Sequence, residues 1–113
     1  MKGERLGEFE ELVLLSVRLG GHQANGVEIQ DGLEQNAGRT VSLGAIYAAL
    51  DRLTRKGFID SWLGDPTPVR GGRRKRYYRV TPAGIETLEE TRRIRDGLWE
   101  KAAKLALDES TAK

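Results

Sequence analysis

Val69-Arg70-Gly71-Gly72-Arg73-Arg74-Lys75-Arg76-Tyr77-Tyr78-Arg79-Val80 sets a glycine pair and a dense run of positive charge between two strand-like segments. Ahead of it, Phe58-Ile59-Asp60-Ser61-Trp62-Leu63 alternates in polarity, and Tyr77 to Val80 is rich in aromatic and β-branched residues. The pattern predicts a β-hairpin with a basic tip, Pro66 and Pro68 lying in its loop, where no ladder needs their missing N–H. Adjacent glycines free the backbone from Cβ clashes, and the flanking guanidinium and ammonium groups suit phosphate oxygens. Such a hairpin has the form of a wing for duplex DNA. A solvated, charge-rich loop without a partner has the same composition, so this run alone does not decide between them. Trp62 and Tyr78 are expected on the covered side of the hairpin, with base stacking as the alternative.

Outward from the hairpin, charge is segregated along the chain. Residues 39–79 hold ten Lys/Arg against Asp51, Asp60 and Asp65, a net of +7, while the rest holds nine against fourteen Asp/Glu, a net of −5. A formal charge of +2 over 113 residues conceals this polarity. A basic middle with acidic ends suits a protein that docks one face on a polyanion. The length is that of one modest core. With no cysteine, disulfides and thiolate metal sites are excluded, and no apolar stretch approaches the roughly 18 to 20 residues that cross a bilayer. No signal-peptide core or internal repeat is visible, so a cytoplasmic protein with no membrane partner is expected.

Upstream of the hairpin, three helices are predicted. Glu8 to Leu19 carries Phe9, Leu12, Val13, Leu14, Leu15, Val17 and Leu19, too broad for one stripe; it serves its own core and a second subunit, or runs through the middle of the monomer. Gly20-Gly21 ends it. Asn25 and Glu28 have capping-box spacing for a helix to about Asn36, with Ile29 and Leu33 inward and Gly38 closing it. Ser42 is the next N-cap, followed by Leu43, Ile46, Leu50 and Leu53 at helical spacing up to Gly57. The opposite side carries Gly44, Ala45, Ala48, Arg52 and Arg55, with Tyr47 on a flank. Small side chains there let a helix lie close to a groove floor, while Ser42, Tyr47 and Arg52 reach phosphates or base edges; alanines on a plain solvated face are the alternative.

Downstream, Thr81-Pro82-Ala83-Gly84 reads as an N-cap with proline at the first helical position. A helix of about 27 residues, on the order of 40 Å, should run to about Leu107, with Asp108 to Lys113 a frayed tail. Leu88, Thr91, Leu98, Ala102 and Leu105 form a seam on it, and an apolar seam on a protruding helix calls for a partner. The expected dimer interface comprises Phe9, Leu12 and Leu15 of the first helix with Leu88, Leu98, Trp99, Ala102 and Leu105 of the last. The fold class is α+β, mostly α: a winged helix-turn-helix in residues 1–80 and a long C-terminal dimerisation helix with its tail in 81–113.

The chain resembles the PadR-type transcriptional regulators. The resemblance rests on Gly7-Glu8-Phe9-Glu10, Gly26-Val27-Glu28-Ile29, Val41 through Leu53, and above all Gly71 through Gly84, where the wing runs into Thr-Pro-Ala-Gly. It spans nearly the whole chain and matches the short branch with a single C-terminal helix. Val27 stands where a tyrosine is common, so any role of that tyrosine is not carried over. The resemblance implies a homodimeric DNA-binding regulator, usually a repressor, on an inverted-repeat operator, and no cofactor. It implies that Ser42 and Tyr47 hold phosphates beside Ala45 and Ala48, that Arg52 reads a base or clamps the backbone, and that Arg70, Arg73, Arg74 and Lys75 grip DNA from the wing. Some similar proteins bind planar aromatic effectors between paired tryptophans, which makes Trp99 either a ligand contact or a plain interface residue.

An enzyme is poorly supported, since His22 is the single histidine, beside Gly20-Gly21 in an expected exposed turn, and no thiol is present. A winged-helix module that binds RNA or protein is the alternative class. Six positive charges between Arg70 and Arg79 argue against a protein partner, and a slim helix face argues for the wide major groove of DNA.

Overall fold

Three helices, a two-stranded antiparallel hairpin and one long helix follow one another in a computed structural model that describes residues 5–65 and 74–111. Helix α1 spans Glu8–Leu19, α2 Gly26–Ala37, α3 Leu43–Arg55, strand β1 Ile59–Leu63, β2 Arg76–Val80 and α4 Pro82–Thr111. Local chemistry sets the boundaries. Glu10 accepts the Gly7 N–H at 2.8 Å, the Asn25 half of the expected capping box forms with Glu28 N–H at 3.2 Å, and Ser42 Oγ accepts from Ala45 N–H at 3.1 Å. Gly38 closes α2 at φ 64°, a left-handed conformation that side chains with a Cβ avoid.

The core lies where the three short helices meet the hairpin. Val13, Leu14 and Val17 of α1 pack with Ile29 and Leu33 of α2, Ile46, Ala49, Leu50 and Leu53 of α3, and Phe58, Ile59 and Tyr78. Leu43, expected in the inward stripe, is 36% exposed. At about 100° per residue it falls about 70° from the centre of the arc formed by Ile46, Ala49, Leu50 and Leu53.

The hairpin register pairs Ile59 with Val80, Ser61 with Tyr78 and Trp62 with Tyr77. Side chains alternate between faces along a strand, so Trp62 cannot share a face with Tyr78. Tyr78 is buried, whereas Trp62 stands on the outer face with Tyr77 (ring centroids 6.1 Å apart), Arg79 5.8 Å from its ring and Asp60. The expectation that both aromatics pack inward is therefore corrected for Trp62. Ala24 adds a bridge on the other edge of β2, its carbonyl accepting from Tyr78 N–H at 2.9 Å.

Helix α4 is rooted in the base of the hairpin. Thr81 Oγ1 donates to Gly57 O at 2.7 Å and accepts from Gly84 N–H at 3.1 Å, while Thr81 N–H donates to Phe58 O at 3.0 Å. Any Cβ on Gly84 would collide with Phe58 O and lie 2.6 Å from Val80 Cγ1. The helix runs to Thr111, four residues past the expected end at Leu107, because nothing from Asp108 to Thr111 breaks it. Leu88, expected at a dimer interface, belongs to the chain's own core. Beyond it α4 projects, and the molecule extends 71 Å along its long axis against 31 and 21 Å across.

One buried charge joins α1 to α3. The Glu10 carboxylate, 6% exposed, accepts from Lys56 Nζ at 2.8 Å and Arg52 Nε at 3.1 Å as well as from Gly7. Burial alone would raise its pKa, but the Gly7 N–H and the two cations outweigh that and hold it below the ordinary value. A depressed folded-state pKa contributes stability that is present above the unfolded value and is lost as pH falls through the folded one. Glu10→Gln should therefore lower unfolding free energy at pH 7 by about 1–3 kcal/mol and flatten its fall in acid. Urea titrations at a series of pH values between neutrality and the acid limb will check both.

Candidate nucleic-acid interface

With Ile46, Ala49, Leu50 and Leu53 turned inward, α3 presents Gly44, Tyr47, Ala48, Asp51 and Arg55 to the outside, while Ala45 is half-buried. The middle of this face has almost no side-chain bulk, since only Ser42 Oγ lies within 4 Å of the position a Gly44 Cβ would take. A helix so surfaced can enter a groove closely. Ser42 spends its oxygen on the N-cap, which leaves its O–H free to donate.

Tyr47 is 44% exposed, and its ring lies on the first residue of α2. A Cβ added at Gly26 would stand 2.6 Å from Tyr47 Cζ and closer still to the hydroxyl. Gly26 thus makes room for the ring, and the phenol is held beside the N-terminus of α2, where a helix favours anions.

Arg52, expected to read a base or clamp the backbone, pairs with α1 and keeps its side chain 44% exposed. It sits about 80° round the helix from Gly44, and its Nε is committed to Glu10, which turns the side chain toward α1. The ion pair links α3 to α1. Arg55 and Asp51 lie nearer the centre of the outward face, and neither was among the expected contacts. Projection at helical spacing had put Arg55 on this face, and it carries Asp51 there as well, an acidic residue in a basic segment.

The hairpin stands beside this face. Tyr78 has its pKa raised, first by burial and then by Tyr47 and Asp51, with Arg76 opposing. Ala24, which bridges Tyr78, lies two residues before Gly26, on which the Tyr47 ring of α3 rests. Arg76 Nη1 donates to Ser61 Oγ at 3.0 Å, and Arg74 Nε to Gly64 O at 2.8 Å, which aligns both guanidiniums while leaving other N–H groups exposed. Lys75 is exposed as well. Arg70 and Arg73 lie outside the described residues. His22 is exposed in the turn after α1, as its glycine neighbours suggest.

Helices α1 and α4 flank a groove of about 440 Å³ lined in part by Leu15, Arg18, Ile85, Leu88, Arg92 and Trp99. The Arg95 guanidinium meets Glu11 across it at 3.0 Å. Along α4, Leu98, Trp99 and Leu105 are 63%, 73% and 61% exposed, Ala102 is exposed beside them, and Ile94, missed in the sequence reading, continues the stripe. Phe9 and Leu12 are half-buried against the chain's own core, and Leu15 is more open. Among the described residues, no helix is long and apolar enough to cross a membrane, and no group of three His, Cys, Asp or Glu could hold a metal ion.

A family model described as the transcriptional regulator PadR-like family matches residues 14–90. No curated protein matches the chain. Among solved structures, a PadR-like transcription factor from Bacteroides fragilis is 22% identical with a TM-score of 0.71, over 86% of this chain and 88% of that one. A PadR-like transcriptional regulator from Bacillus cereus is 24% identical with a TM-score of 0.68, over 87% and 90%. Bacillus subtilis PadR, solved in complex with operator DNA, is 23% identical with a TM-score of 0.60, over 73% of this chain and 46% of that one. At these identities the likeness is one of fold.

The seat of Tyr47 can be tested directly. Alanine is a better helix former than glycine, yet Gly26→Ala should destabilise by about 1–3 kcal/mol because the ring must move. Adding Tyr47→Ala should recover part of that loss, so a double-mutant cycle in urea should show a coupling energy of about 0.5 kcal/mol or more.

Proposed function

The chain belongs to the PadR-like family of transcriptional regulators, and from that premise we propose that it is a sequence-specific double-stranded DNA-binding repressor that works as a cytoplasmic homodimer. The observation that carries the reading is the adjacency of two elements: α3, with its small-residue face, places the Tyr47 ring on Gly26, and two residues before it Ala24 bridges Tyr78 in the middle of the strand that begins at Arg76. One duplex can meet both. In this reading α3 enters the major groove with Ala45 and Ala48 near its floor, Ser42 and Tyr47 hold phosphates, and Arg74 and Lys75 grip the backbone together with Arg70 and Arg73. Residues 1–80 act as the DNA-reading unit and 81–113 as the dimerising helix. That PadR from Bacillus subtilis was solved on operator DNA supports the polyanion as duplex DNA.

The homodimer is supported by the open stripe of Ile94, Leu98, Trp99, Ala102 and Leu105 on a helix that projects from its own core. A second copy buries that stripe and presents two recognition helices about 34–36 Å apart, one turn of DNA. A planar aromatic effector is supported by the exposed Trp99 on the wall of the α1–α4 groove. Such a ligand would act through α1, which contacts α4 on one side and is tied to α3 by Glu10 on the other, so that a shift in helix separation releases the operator.

Selection of bound duplexes from a random library tests the function and should return an inverted repeat; enrichment of no sequence would refute it. Affinity for the selected duplex should fall steeply with salt, and the double substitution Arg74→Ala with Lys75→Ala should reduce the log–log slope by up to about 2. In light scattering, Leu98→Asp should give monomers, with loss of tight operator binding in a gel shift.

A further inference from the structure

We propose that Asp51 is a specificity-determining residue, which reads the exocyclic amine of one cytosine in each operator half-site from the centre of the outward face of α3. The inference rests on the DNA-binding reading above and adds to it which base edge this helix demands.

Asp51 lies within about 20° of Gly44 around the helix, with Ala48 and Arg55 on the same arc. Its neighbours one turn toward the N-terminus are Tyr47, seated back on Gly26, and Ala48, so nothing bulky holds the carboxylate away from a groove floor. The side chain is exposed, and among the described residues it has neither an ion pair nor a hydrogen bond. Arg55, one turn on at ion-pair spacing, is not bonded to it. The contrast with Glu10 is informative, because that carboxylate is buried under three donors and is structural. Asp51 is exposed and has no such set of donors around it.

An acidic group in the middle of a face set against a polyanion costs affinity through repulsion by phosphates, and the +7 segment around it makes the sign reversal conspicuous. The repulsion is offset where the groove supplies a donor. In the major groove the donors are cytosine N4 and adenine N6, and adenine sets its N7 lone pair directly beside the amine. A carboxylate, which only accepts, is repelled by N7 and is satisfied by cytosine. Asparagine, which both donates and accepts, fits the adenine pair N6 and N7 instead. Arg55, nearer the C-terminus of α3, is placed for an adjacent phosphate or guanine.

The test is the same random-duplex selection carried out in parallel on the wild-type protein, Asp51→Asn and Asp51→Ala. The expected result is a cytosine at one symmetry-related position of each half-site for wild type, adenine there for Asp51→Asn, and no preference there for Asp51→Ala, with the remaining positions unchanged. In competition at fixed salt, replacing that cytosine should weaken the wild-type complex on the order of tenfold and leave Asp51→Ala nearly indifferent. One and the same motif from all three proteins overturns the inference and leaves the DNA-binding function standing. So does uniformly tighter binding by Asp51→Ala on an unchanged motif, which makes the carboxylate a repulsive group without readout. Failure of the wild-type protein to enrich any duplex defeats the function itself and this inference with it. Because Asp51 is exposed, both variants should keep the far-ultraviolet dichroism of the wild type.

Discussion

A carboxylate buried beneath three donors governs the geometry of this molecule. Glu10 receives the Gly7 N–H at the start of α1, Arg52 near the end of α3 and Lys56 just beyond it, and Lys56 also reaches back to Arg5 O at 2.8 Å. A charge withdrawn from water is costly unless its partners are fixed, so each of these groups is constrained by the others. The consequence is an angle: α3 leaves its contact with α1 in one direction, and with it the outward face of Gly44, Ala48 and Asp51. Apolar packing of Leu14 and Val17 against Ile46 and Leu50 supplies attraction without direction. The ion cluster supplies the direction.

The hairpin is held to the same frame from two sides. Ala24 bonds the free edge of β2, and the Tyr78 ring goes into the core, so the strand with the basic residues is anchored at its middle. Polar order continues on the exposed surface, where Asp60 meets Arg79 and Arg79 lies over Trp62. These outer contacts are largely solvated and add little energy each.

Much of this was legible in the residues. The limits of α1, the caps at Asn25, Ser42 and Thr81, and the closing role of Gly38 are local chemistry, readable within four positions of each site. The hairpin and its alternation were equally plain. What escaped depends on pairs distant in the chain. Nothing near Arg52 announces that Glu10, 42 residues earlier, will claim its guanidinium. The face taken by Trp62 follows from register, and register is settled by the pairing of Leu63 with Arg76 across a loop of unstated length in any local pattern. The bridge at Ala24 is a single residue and leaves no periodic trace. Asp51 was visible on a helical projection, yet charge counting entered it only as a deduction from the basic total. Leu88 satisfied the spacing of a seam, and only packing shows that its own chain already covers it.

The joint at the foot of α4 has a mechanical consequence. Gly84 rests against Phe58 O with no space for a Cβ, and Thr81 clasps Gly57 and Phe58 from the same side. That makes the hairpin base a fulcrum and the 30-residue shaft, about 45 Å long, a lever. A tilt of about 10° at the foot carries the far end through about 8 Å, roughly two base-pair steps of a duplex. Small groups packed into one corner thus hold the pitch of the whole rod, and leverage, more than bulk, fixes how far its free end can swing.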